Sequence, residues 1–131
     1  LKTGVSAGGE AGGVKVAYAE IACTAAPSTT DALQFFYLPA GARVLQATLE
    51  ATDMDTNVSP SLTLNIGDAG SATRLFSAST VGQAGTSSTA VAVTGQGYKY
   101  TSKTLITGVA QANAATGAAG TVYLTILYVV E

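Results

Sequence analysis

Histidine and tryptophan are absent from this chain, cysteine occurs once, and only 11% of the 131 residues are charged. Without an imidazole to serve as base, nucleophilic catalysis of the Ser-His-Asp or Cys-His kind is excluded. The lone Cys23 cannot form an internal disulfide, which removes the disulfide-stapled secreted scaffold; set among apolar residues, it reads as a small buried hydrophobe. The six basic residues, Lys2, Lys15, Arg43, Arg74, Lys99 and Lys103, are scattered, so no phosphate-tracking cluster forms and no nucleic-acid partner is expected. No apolar run approaches the roughly 18 residues that cross a bilayer. The longest is interrupted by Thr121 and Thr125, so no membrane partner is expected either, and Lys2 is followed by no apolar stretch of secretory type. An ordinary domain carries roughly 25% charged residues to keep its surface wetted. Their scarcity points to a surface covered by other subunits, an assembly component rather than a freely diffusing enzyme.

What is present is strand pattern. The hydrophobic fraction, 47%, is enough for one real core in a chain of this length, and no composition break marks a second domain. Residues 1–13 hold five glycines and little that could pack, which predicts a flexible N-terminal arm ahead of one β-sandwich domain over 14–131. Val14, Val16 and Tyr18 share one side while Ile21 and Cys23 fall on the other, so a face switch or bulge is expected near Glu20. Leu33 to Leu38 reads as a strand buried on both faces, broken by Pro39-Ala40-Gly41. Arg43 to Ala51 alternates, with Leu45, Ala47, Leu49 and Ala51 inward. Leu62, Leu64 and Ile66 alternate up to the Gly67-Asp68 turn. Ala72, Leu75, Phe76 and Ser79 are spaced for a short helix capped by Ser71, and 82–88 reads as loop. Ala90 to Thr94, Lys103 to Val109 and Thr121 to Val130 complete the strands, with the alanine-rich Ala110 to Gly120 between the last two a loop. The sum is an all-β, jelly-roll-like sandwich of about eight antiparallel strands with at most one short helix.

Few groupings carry chemistry. The carboxylates Glu20, Asp31, Glu50, Asp53, Asp55, Asp68 and Glu131 fall at turns or on solvent-facing strand positions, and no spacing selects a catalytic pair, so no enzyme is expected. Asp53-Met54-Asp55-Thr56-Asn57-Val58-Ser59 copies the alternating oxygens that open an EF-hand loop, then departs from it: Val58 stands where glycine is needed and Leu64 where a bidentate glutamate is needed. The alternatives are a different cation site at a loop tip, or Asp and Asn side chains bonding their own backbone in turns, and the second is favoured. Gly8-Gly9 and Gly12-Gly13 neither follow a strand nor open a helix, so no phosphate loop and no cofactor is expected. Tyr98-Lys99-Tyr100 places two tyrosines on one face of an extended segment, where they would form a subunit interface, complete the core edge or pack on a sugar. With Leu1 and Val5 of the arm, Tyr98 and Tyr100 are the candidate interface residues.

Leu33 to Val44, Asp53-Met54-Asp55-Thr56, Ser59-Pro60 and Leu62 to Asp68 together resemble segments of small structural proteins of tailed-bacteriophage virions. Arg74 to Thr80 and Thr121 to Ile126 extend that resemblance. Within that group the nearest type is the capsid cement or decoration protein, often a jelly roll, bound to the outside of the shell at junctions between capsid subunits. The resemblance implies a structural role on the capsid exterior, the major capsid protein as partner, a homo-oligomer and no catalytic residues. A tail, neck or fibre component shares this all-β composition, and a carbohydrate-binding jelly-roll module is disfavoured by the missing tryptophan.

Overall fold

The computed structural model describes residues 13–131, so Leu1, Val5 and the arm up to residue 12 lie outside the described residues. Eight strands follow in order: β1 (Lys15–Cys23), β2 (Leu33–Leu38), β3 (Ala42–Ala51), β4 (Thr63–Gly67), β5 (Phe76–Ser79), β6 (Ser87–Ser88), β7 (Thr104–Ala112) and β8 (Gly120–Val130). They form two four-stranded antiparallel sheets, ordered β1-β8-β3-β6 and β2-β7-β4-β5. This is jelly-roll connectivity: most successive strands cross from one sheet to the other, and the last strand returns between the first and the third. The only helical turn among the described residues is a 3-10 turn at Val81–Gln83.

Between the sheets lie Leu38, Val44, Leu49, Leu64, Ile66, Phe76, Ile106, Leu124 and Ile126, all essentially solvent-free. Alternation supplies them, because every second residue of a strand points to one face. In β8, Val122, Leu124 and Ile126 face inward as the pattern predicts. Cys23 sits half-buried on the inner side of β1, where burial and then the charge of Asp31 push its thiol pKa up.

Several sequence expectations are corrected by the pairing. β1 runs against β8 in unbroken register from Lys15 opposite Tyr128 to Cys23 opposite Gly120, so there is no face switch near Glu20. Ala17, Ile21 and Cys23 pack on the core, while Val14, Val16 and Tyr18 stay more than half exposed. Small Ala17 and Ala19 hide the inner face from a reading weighted to large side chains. In β3 a bulge between Val44 and Gln46 turns Val44 into the core and leaves Leu45 37% exposed, the reverse of the simple alternation. β2 is an edge strand with a register slip between Gln34 and Phe36, so it is not buried on both faces, and Tyr37 is 58% exposed.

The short helix expected over 71–79 is absent. Phe76–Ser79 is β5, preceded by a turn in which the N–H of Arg74 donates to the Ser71 carbonyl. Its alternation is broken at Ala78, whose φ of 51° is a left-handed conformation held by an N–H bond to Asn65 Oδ1 at 2.8 Å. Ala90 to Thr94 is loop, not strand; the chain pairs instead at Ser87–Ser88, against Leu49 and Glu50. β7 extends beyond the expected Val109 to Ala112.

Because the strands alternate in direction, the connections collect at two ends. One end gathers residues 39–41, 68–75 and 97–103; the other gathers 24–32, 52–62, 80–86 and 113–119. The tight β2–β3 turn needs Gly41, whose φ is 88°, a region that costs other residues strain.

Candidate functional site

At the first end, Asp68 is nearly solvent-free and organises its surroundings. Its Oδ1 accepts the N–H groups of Gly70 at 2.9 Å and Ser71 at 3.0 Å, which forms the turn after β4. Its Oδ2 accepts Arg74 Nε at 2.6 Å and the Tyr100 hydroxyl at 2.9 Å. Burial by itself would raise the Asp68 carboxyl, but the bonds from Arg74, Tyr100 and Ser71 outweigh it and hold the group below the usual carboxylate range. Burial, then the bond to Asp68, pushes the Tyr100 hydroxyl well up, so it stays a donor.

The second tyrosine is built on this base. Tyr98 meets Tyr100 edge-to-face with ring centroids 4.9 Å apart, as residues two apart on an extended segment can. The Arg74 guanidinium lies 3.8 Å from the Tyr98 ring centroid, so one arginine neutralises Asp68 and covers a tyrosine face. Residues 97–100 run beside the start of β3: Gly97 N–H donates to the Val44 carbonyl, Val44 N–H to Tyr98, Tyr100 N–H to Ala42 and Gly41 N–H to Tyr100. This segment thereby covers the half of the β3 edge that two-residue β6 leaves open. A cleft of about 480 Å³ opens here, lined by Asp68, Gly70, Arg74, Tyr98, Tyr100 and Lys103 among others.

Of the sequence candidates, Tyr98 and Tyr100 are thus brought together in one cleft, Tyr100 at the core edge and only 3% exposed, Tyr98 half-buried on its rim. Leu1 and Val5 lie outside the described residues. Asp68 and Arg74 were not among the interface candidates. Their spacing, an aspartate opening a turn and an arginine six residues later, is a weak signal alone; Tyr100, some thirty residues on, gives it meaning.

The Asp53 to Ser59 loop, at the other end, follows the turn reading. Asp53, Asp55 and Asn57 each accept the backbone N–H two residues on. Asp55 does more: its two oxygens also accept the N–H groups of Ser61, Leu62, Ala115 and Thr116 at 2.7–3.0 Å. Burial would raise this carboxyl, yet the four backbone donors hold it far below the usual range. Lone pairs directed at N–H groups are unavailable to a cation, and no group of three or more potential metal-ligating side chains occurs among the described residues.

A second exposed feature is β1 itself, which among the described residues is an open edge without proline or bulge that displays Val14, Val16 and Tyr18 to solvent. Such an edge is a template for pairing with another chain.

No protein-family model matches the chain, and no curated protein matches it. Solved structures do. A chain in the capsid asymmetric unit of cyanophage Pam1 is 48% identical over all of this chain and 92% of that one, with a TM-score of 0.83. A chain in the capsid of Ralstonia phage GP4 is 31% identical over 92% of this chain and 86% of that one, with a TM-score of 0.81. The acid-stable capsid of Helicobacter pylori bacteriophage KHP30 contains a chain of the same fold, 16% identical with a TM-score of 0.65 over 88% of this chain and 87% of that one. The chain therefore belongs to the family of phage virion structural proteins represented in the Pam1 and GP4 capsids.

Proposed function

We propose that this chain is a capsid cement protein, which binds the outside of the shell and reinforces junctions between major capsid subunits. The observation that carries the reading is the full-length 48% identity to a chain of the Pam1 capsid asymmetric unit. The physical character of the surface supports it. Outward strand positions are filled with Thr, Ser, Gln and Asn such as Gln46, Thr48 and Thr125. These groups are buried against a partner at lower desolvation cost than ions. The open β1 edge, with Val14, Val16 and Tyr18, suits contact between copies, in keeping with a homo-oligomer on the capsid exterior. The candidate contact with the shell is the cleft end, including Tyr98, with Leu1 and Val5, outside the described residues, as further candidate contacts.

A sugar-binding role is less well supported, because Tyr98 spends one ring face on Arg74 and Tyr100 is buried. The test is co-sedimentation of the purified protein with shells of its phage prepared without it, followed by heating of the decorated and bare shells. Binding at moderate salt and a higher disruption temperature for decorated shells are expected. Failure to co-sediment, or cryo-electron microscopy density for the chain only at the tail or neck, would remove the cement reading.

A further inference from the structure

The five basic residues among those described are scattered in sequence but not in space. Lys15 opens β1 opposite Tyr128, near the end of β8. Arg43 pairs with Glu131 and donates to the Gly97 carbonyl, while its backbone bridges to Lys99. Arg74 and Lys103 line the same cleft, and the Lys103 ammonium sits 4.8 Å from the Tyr37 ring centroid, next to the β2–β3 turn. All five therefore lie at the cleft end, where the only described carboxylates are Asp68 and Glu131, each already paired with an arginine. Lys15, Lys99 and Lys103 are left over, exposed and without a carboxylate partner in any described ion pair.

The opposite half is the converse. Glu20 and Glu50 flank Tyr123 across three adjacent strands, and Asp31, Asp53 and Asp55 occupy the connections beyond them. None of the described basic residues is there. Along β1 the five residue steps from Lys15 to Glu20 span about 17 Å, twice the screening distance or more. The Debye length in physiological salt is about 8 Å. The two ends therefore act on their surroundings separately, one positive and one negative.

We infer that the cleft end docks on an acidic protein surface of the capsid shell, with Lys15, Lys99 and Lys103 of that end facing carboxylates and the acidic end directed away. This rests on the cement reading above and adds the partner's chemistry and the polarity of binding. Charge complementarity of this kind fixes orientation and speeds encounter. In a chain with so few ions, three ammonium groups with no ion-pair partner among the described residues are a large part of what distinguishes one end from the other. A nucleic acid is the poorer occupant, since its backbone calls for a longer track of basic groups than three lysines spread over one end, of which only Lys103 lines the cleft.

The test compares the wild type with Lys99→Glu/Lys103→Glu and with Glu20→Gln/Glu50→Gln, each checked for an unchanged melting temperature. Their binding to shells prepared without this chain is measured at about 0.15 M salt and again at higher salt. The inference expects about a tenfold or greater loss of affinity for the lysine variant, a change within about twofold for the glutamate variant, and weaker wild-type binding as salt rises. Shell binding retained by the lysine variant but lost by the glutamate variant would overturn the polarity while leaving the cement reading intact. No shell binding by the wild type would remove both. Sedimentation analysis of the wild type and both variants without shells adds a further outcome: self-association abolished equally by both variants would assign the basic end to the acidic end of a second copy. Binding of a duplex DNA probe as tight as that of shells would assign it to nucleic acid. Either overturns the inference.

Discussion

Asp55 and Asp68 are the two nearly solvent-free carboxylates among the described residues, and they stand at opposite ends. Asp55 is satisfied by backbone N–H groups, drawn from its own loop and from residues 115–116. Asp68 is satisfied in part by the side chains of Arg74 and Tyr100, which go on to shape a cleft. The same chemical group therefore does two jobs. A carboxylate that spends its lone pairs on backbone stitches loops together and presents nothing outward. One that spends them on long side chains orders a surface, because those side chains reach on to Tyr98 and solvent.

The largest break in this comparison is Asp55→Ala. It takes the shared acceptor from the N–H groups of Ser61, Leu62, Ala115 and Thr116 at once, Leu62 being fully buried, and should lower the melting temperature by on the order of 10 °C. Scanning calorimetry measures it, and a shift of a degree or two would show that water replaces the carboxylate. Asp55→Asn, which keeps one acceptor oxygen, should fall between.

Acid comes next. Both carboxyls are held below their ordinary value in the fold, so the native state binds fewer protons than the unfolded chain as pH drops. The stabilisation is complete above the unfolded carboxyl range near pH 4 and is lost as pH falls through it toward the folded values. A melting temperature flat from pH 7 to about 5 and falling below about 4 is expected. The fall should be shallower in Asp55→Asn; an equally steep fall in that variant would show that other groups carry the acid response.

Tyr100→Phe is the smallest and sharpest probe. It removes one hydrogen bond to a charged acceptor while keeping the ring that packs on Tyr98, and should cost about 1–2 kcal/mol. Urea unfolding checks this. A cost near zero would mean that Arg74 and the two N–H groups satisfy Asp68 alone.

Most strands were legible from their alternation: Arg43 to Ala51, Leu62 to Ile66 and Thr121 to Val130 lie at or near their observed places. The failures share a cause. At Leu45, Phe36 and Ala78 a bulge, a register slip or a left-handed residue shifts the chain by one position, which exchanges the two faces. Two-residue β6 has no periodicity to read at all and exists only because Leu49 and Glu50 offer it an edge. In the cleft, Tyr98 and Tyr100 were visible as a pair, but Asp68 and Arg74 looked like turn chemistry until the fold set them against Tyr100.

The sequence by itself determined that the protein is built of half-wetted strands, that its surface is poor in ions, and that it lacks the imidazole of common hydrolytic sites. These are properties of residue type and of a period of two, which local geometry converts directly into faces. The gathering of charge was decided only by the tertiary structure. Lys15, Arg43, Arg74, Lys99 and Lys103 look scattered along the chain, yet strands that reverse direction between two sheets return each of them to the same end. Long-range pairing creates that proximity, and no local pattern in the sequence encodes it.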